Sequence, residues 1–347
     1  MNIPILLGHN DVLLRLEREG DHLPFLLGDP EAQVDLPLAR RGGMGGGFFA
    51  AWVPDLEPDE TYYDEDGGYA IALPDPLDPE YAFEVALSMS DRLLQLESDS
   101  LGSVCVVRSW SDLVSCLEED VFAAILHFEG AEPIDPGLRN LEELYALGLR
   151  SLGLVWSRPN LFGHGVQLRF PSSPDTGPGL TRRGRELVRA CNELGIMLDV
   201  SHLTEEGFWD VAYLSRHPLV ATHSNAHALC PSSRNLTDEQ LRAVADSGGL
   251  VGISFSVADL RPDGEDDPDT PLELVLDHLE YVAELAGIDH VALGSDYEGA
   301  TMPDELADTS ELGQVLWGLA DRGFSQEEIE KVAHGNWLRV LGETWEP

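Results

Sequence analysis

The chain carries histidines and carboxylates where apolar runs end. "IPILLGHND" closes on His9 and Asp11, "FAAILHFEG" on Glu129, with His127 two places before it, and "GIMLDVSH" on His202. "PLVATHS" closes on His223 and "HVALGSD" on Asp296. Taken singly, such a histidine is a hydrogen-bonded core residue and Asp11 is a turn cap. Five apolar runs that all end this way point instead to a metal site. Nitrogen and oxygen donors without thiolates suit Zn²⁺ or a similar hydrolytic divalent ion. A catalytic zinc takes about three protein ligands. His9, Asp11, Glu129, His202 and His223 therefore suit two ions that share a carboxylate. Two ions roughly 3.5–4 Å apart can activate water and stabilise an oxyanion. A carbamylated lysine is a poor candidate for the bridge, because the only lysine, Lys331, lies in the helical "EEIEKVAHG". The candidate bridge is Glu129.

These ends need strands to hold them. Ile3, Ile5 and Leu7 share the parity of His9 and Asp11, so one face of the first strand is expected to run from Ile3 to Asp11. Nine short apolar runs can be read as strands: the five above and "GGGFFAAWV", "SVCVVRS", "RSLGLVW" and "GLVGISF". Helical patterns fall between many of them. "TRRGRELVRACNELG" ends on a glycine, and Thr237/Gln240 and Ser325/Glu328 have capping-box spacing. This alternation predicts an α/β fold, a (β/α)8 TIM-type barrel with the polar ends at its C-terminal rim. One catalytic domain, 1–347, is expected, with a long loop at 54–79 rich in Pro, Asp, Glu and Tyr and an acidic, solvated loop at 260–271. No P-loop is present, and no G-x-G-x-x-G leads into a helix.

Composition narrows the partners. Against 21 basic residues stand 63 acidic ones, a formal net charge of −42, so nucleic acid is not an expected partner. The acids are spread along the chain, as on an acidic folded surface, and resemble the acid-rich, lysine-poor composition of halophile proteins. No run reaches the roughly 20 apolar residues of a membrane span, and no leader or anchor is expected. Cys105, Cys116, Cys191 and Cys230 are scattered, which fits a reducing cytoplasm.

"GHND", "FEG", "DVSH", "THSNAHAL…SRN" and "GSDYEG" together resemble the membrane dipeptidase (renal dipeptidase) family of amidohydrolase-type barrels, from "GHND" to the final "HGNWLRVL". The resemblance implies a metallo-dipeptidase with two divalent ions, zinc expected. His9 and Asp11 would bind one ion, His202 and His223 the other, and Glu129 would bridge them. Arg234 would take the substrate carboxylate, a task suited to a bidentate guanidinium. Asp296 would move the proton from water to the leaving amine, and Glu298 would sit behind it. The substrate would be a small dipeptide, including one with a D-residue at its C-terminus, and family members are commonly dimeric. One position departs from the renal pattern: Trp156 stands where those enzymes have a histidine that steadies the intermediate. It is expected to line the substrate pocket with one N–H donor that cannot titrate. His164, on the next loop, could reach in instead. The departure keeps open an amidohydrolase acting on another small amide, an N-acyl amino acid or a lactam. A metal-binding relative without turnover is the third alternative.

Overall fold

The computed structural model describes residues 3–55, 61–63 and 68–345. Eight parallel strands close on themselves: β1 (Ile5–Asn10), β2 (Met44–Trp52), β3 (Phe122–Glu129), β4 (Leu149–Gly153), β5 (Met197–Asp199), β6 (Val220–Ala221), β7 (Leu250–Ser254) and β8 (Val291–Tyr297). Pairing of β2 with β3, from Gly46↔Ala123 to Trp52↔Glu129, joins two neighbours that the chain separates by some 70 residues and shuts the barrel. The fold is the expected (β/α)8 TIM-type barrel. Eight of the nine apolar runs form it. The ninth, "SVCVVRS", forms Val104–Val106, which pairs only with the first part of β3 and stays outside the ring, because β2 and β4 already flank the rest of that strand.

The helices follow the capping signals. Thr237 and Gln240 form a full capping box on Asp238–Asp246, and Ser325 and Glu328 one on Gln326–Glu330. Gly195 ends Arg182–Leu194 with a left-handed φ of 71°. Ile5, Leu7, Phe49 and Ala51 pack in the layer between strands and helices. Leu6, Phe48, Ile125, Met197 and Ala292 point the other way and meet Trp337 of the C-terminal helix, which packs the barrel floor. Apolar burial on both faces of the strands is the source of the near-continuous apolar runs.

The face that begins at Ile3 is not the one His9 joins. Leu6 and Gly8 point inward; a Cβ on Gly8 would lie 2.1 Å from the Thr222 carbonyl oxygen. The ladders of β1 then slip, between Leu7 and Asn10 on one side and between His9 and Asn10 on the other. This bulge turns His9 into the barrel, a common device for aiming a side chain beside an active site.

The stretch 54–79, expected as a loop, carries two short strands, Thr61–Tyr63 and Tyr69–Ile71, which pair with each other and with Arg169–Phe170. Its residues 56–60 and 64–67 lie outside the described ones. In 260–271 the acidic side chains are largely exposed, as expected, and only Leu260, Gly264 and Thr270 are buried. No helix of the described residues is long and apolar enough to cross a membrane.

Candidate active site

At the C-terminal ends of the strands a cavity of about 1310 Å³ opens. Asp11, Glu129, Trp156, His202, Arg234 and Asp296 all line it. His9 and His223 lie just beneath, fully buried.

Glu129, at the end of β3, divides its carboxylate between two groups. Oε1 lies 2.9 Å from His202 Nε2 and 3.5 Å from His223 Nε2. Oε2 lies 3.6 Å from His9 Nε2. His9 Nε2 is in turn 3.3 Å from Asp11 Oδ2 and 3.9 Å from Asp296 Oδ1. Asp11 occupies the N-cap position of the helix Val12–Glu19, yet its side chain makes no capping bond there. Asn10 Oδ1 accepts from the Val12 N–H instead, and Asp11 is left facing His9. Asp296 follows Ser295 in the left-handed region, at φ 86° and 74°, with Glu298 at 68°. Three non-glycine residues held so close together are costly, and strained backbone of this kind gathers at functional sites. Gly299 is required at this turn: a Cβ there would lie 2.2 Å from Asp11 Oδ2 and 2.7 Å from Asp296 Oδ1.

The hydrogen-bond chain behind His223 fixes its tautomer. Thr222 Oγ1 donates to Asp199 Oδ2 at 2.6 Å, so toward His223 Nδ1, 2.8 Å away, it can only accept. The proton therefore sits on Nδ1, and Nε2 turns a lone pair to the cavity. His202 Nδ1 meets Ser157 Oγ at 2.9 Å. The two Nε2 atoms are 3.0 Å apart. Burial first, then Arg234 and His9, hold both rings well below the usual histidine range, so both are neutral. His9 behaves in the opposite way: burial opposes its charge, but Glu129, Asp11 and Asp296 overcome that and lift it to about 10. Glu129 is pushed up to about 8 and Asp296 to about 6, in both cases by burial first, with Asp11 adding to it and His9 opposing. A cluster of carboxylates that draws a proton onto a buried imidazole, beside a pair of neutral imidazoles facing each other, is a donor set that suits cations. His9 with Glu129 and His223, and His9 with Asp11 and Asp296, each place three donor atoms within 4.8 Å of one another.

Arg234 is buried and held from behind. Nη1 donates to the Ser201 carbonyl, and Nη2 donates to the His223 carbonyl at 3.0 Å. Among the described residues no carboxylate comes within ion-pair distance of it. Trp156 stands edge-on to Trp52, ring centroids 5.1 Å apart, and 5.9 Å from the His202 ring. Glu298 faces away from the cluster, accepting from Arg15 Nε at 2.6 Å and from the Val34 N–H at 3.1 Å. His164 does not reach in: its Nδ1 lies 3.3 Å from the Gly179 carbonyl, and it does not line the cavity.

Sequence reasoning passed over Ser157, Asp199, Thr222 and Trp52. Asp199 carried a signal, in "DVSH", three places before His202. The hydroxyls carried none: Ser157 meets His202 across 45 residues of chain, and Thr222, though next to His223, takes its orientation from Asp199, 23 residues before it.

The sequence model of the membrane dipeptidase family (peptidase family M19) matches residues 1–346. A Klebsiella pneumoniae protein, described as an uncharacterized protein in the pqqA 5' region, is 49% identical over 254 residues, 73% of this chain and 94% of its own. Dipeptidase ataJ of Aspergillus terreus is 30% identical over 363 residues, 98% of this chain and 84% of its own. A solved metallopeptidase from Rhodobacter sphaeroides, bound to a phosphinate mimic of the dipeptide L-Ala-D-Ala, matches with a TM-score of 0.93 at 44% identity over 99% of each chain. The chain is thus a metallo-dipeptidase that belongs to the membrane dipeptidase family, peptidase family M19.

Proposed function

We propose that the chain hydrolyses dipeptides at a pair of divalent cations, zinc by the character of the donors, and accepts a D-residue at the substrate's C-terminus. The observation that carries the two-cation assignment is the division of Glu129, with one oxygen toward His202 and His223 and the other toward His9. Bound there, the cations would polarise the scissile carbonyl and acidify a water.

The chain's own residues do the rest. His9 and Asp11 serve one half of the site, His202 and His223 the other, with Ser157 and Thr222 orienting the second pair of rings. Arg234, braced by two backbone carbonyls and without a carboxylate partner among the described residues, receives the substrate carboxylate as a fork. Asp296, which lines the cavity with Oδ1 3.9 Å from His9 Nε2, accepts the proton of the attacking water and hands it to the leaving amine. Trp156 forms the wall beside His202. Acceptance of a D-residue is supported by the ligand of the Rhodobacter sphaeroides relative.

A panel of L,L- and L,D-dipeptides with N-acyl amino acids, assayed with added Zn²⁺, tests this function. Cleavage of free dipeptides, including those ending in a D-residue, is expected. Cleavage of N-acyl amino acids alone would favour the second function that Trp156 keeps open, an amidohydrolase on other small amides. No turnover on any member would leave a metal-binding relative.

A further inference from the structure

Arg158 is a fully buried cation just behind the cavity wall. Its Nε donates to Glu132 Oε1 at 2.8 Å, Nη1 to Asp55 Oδ1 at 3.0 Å and Nη2 to the Val53 carbonyl at 2.8 Å. Its Cζ also lies 5.4 Å from the Trp156 ring centre and 5.8 Å from that of Trp52, within cation–π range of both. Both tryptophans line the substrate cavity. One guanidinium thus ties together the ends of β2, β3 and β4. Trp52 lies opposite Glu129 in the β2–β3 ladder, and Ser157, between Trp156 and Arg158, holds His202. Room for this arrangement is made at Gly130, at φ 101°, where a Cβ would lie 2.2 Å from Glu132 Oε2.

Stability alone is a poor reason for such a device. A buried ion pair can often be replaced by apolar side chains of similar volume without loss, so stability by itself does not account for this one. The tryptophan pair supplies a role in orientation. Edge-on aromatic rings 5.1 Å apart have a preferred geometry but can slide, and a flat cation against both fixes them.

We propose that Arg158 is a positioning residue for the dipeptidase reaction: it acts on the substrate through the Trp52–Trp156 wall and so sets where the scissile amide lies against Glu129 and Asp296. This rests on the dipeptidase function only for its kinetic arm.

The test is a double-mutant cycle between Arg158→Lys and Trp156→Phe, read by KM, kcat, metal content and near-ultraviolet circular dichroism. Lysine keeps a charge for the carboxylates but lacks the planar fork and flat face. Arg158→Lys is expected to raise KM for a free dipeptide on the order of ten-fold, with a smaller change in kcat, because the wall is in contact before the transition state. Metal content should match wild type, and the aromatic dichroism of the pair should weaken. In the Trp156→Phe background the same substitution should change KM by no more than about two-fold. Equal effects in both backgrounds, or wild-type KM and dichroism in Arg158→Lys, overturn the proposal. If Arg158→Lys does not fold, Glu132→Gln takes its place in the cycle under the same criteria. Absence of wild-type turnover would count against the dipeptidase function instead, and the dichroism arm still decides whether Arg158 holds the pair.

Discussion

Acidification should loosen the segment that carries His223 and Arg234, through a histidine outside the catalytic cluster. His278, in the helix Leu272–Ala286, is buried. Its Nδ1 accepts from the Ala226 N–H at 3.0 Å, and its Nε2 donates to the Leu260 carbonyl at 3.1 Å. It thereby pins the stretch between His223 and Arg234 to the helix layer. Protonation would place a second N–H against the Ala226 donor. Burial pushes its pKa down to about 4, against small opposing effects from the Leu260 carbonyl and Asp277. The folded-state pKa is depressed from an ordinary value near 6.5, so the folded chain binds fewer protons than the unfolded chain between those limits. The contribution to stability is full above about pH 6.5 and is lost as pH falls toward about 4. At about 1.36 kcal/mol per unit, roughly 2.5 kcal/mol is lost by pH 4.5. With an unfolding entropy of about 2.1 cal/mol/K per residue, that is about 3–4 °C in Tm. The assay is a set of melts from pH 7.5 to 4.5, in constant salt and metal, of wild type and His278→Gln. Glutamine keeps a donor and an acceptor but does not titrate. Groups common to both proteins, the metal-site histidines included, cancel in the difference. The wild-type advantage should shrink by about 2.5 kcal/mol over that range. A difference that does not change with pH would refute the reasoning.

Three further outcomes are expected. Arg234→Ala should raise KM for free dipeptides while leaving the already poor cleavage of C-terminally amidated ones nearly unchanged; equal wild-type rates on both substrates would remove Arg234 from carboxylate recognition. Asp296→Asn should keep its metal but lower kcat by about 10²–10⁴-fold, the usual size of a general acid–base contribution, with metal analysis beside steady-state kinetics as the check. Tm should rise with KCl toward molar concentration, because a net charge of −42 is only partly screened at about 0.1 M, where the Debye length is about 10 Å, and is screened far better at about 1 M, where it is about 3 Å.

The barrel was legible because its strands are short and apolar on both faces, and because helices such as Arg182–Leu194, Asp238–Asp246 and Gln326–Glu330 carry their own caps. The histidines and carboxylates at the rim were legible for a related reason, since a polar residue that ends an apolar run is conspicuous. Less visible was how they are aimed. His9 enters the barrel by a slip in two ladders, a feature of strand pairing that alternation along one strand does not carry. Val104–Val106 reads like any other apolar strand, and its exclusion depends on which neighbours already flank β3. Thr222, Ser157 and Arg158 are common residue types whose roles depend on partners far along the chain, Asp199, His202 and Glu132, that the fold brings close. The left-handed backbone at Ser295, Asp296 and Glu298 is likewise silent in the sequence, because none of the three is a glycine.

The most direct test of the central claim is the metal content of Glu129→Gln beside that of wild type, by elemental analysis after dialysis against metal-free buffer. Glu129 faces both halves of the site, so wild type should hold close to two divalent ions per chain, and the amide, having lost one anionic oxygen, should retain fewer than one, with dipeptide hydrolysis lost in parallel. A full pair of ions in Glu129→Gln, or a single ion in wild type supplied with excess Zn²⁺, would contradict a two-cation site bridged by this carboxylate.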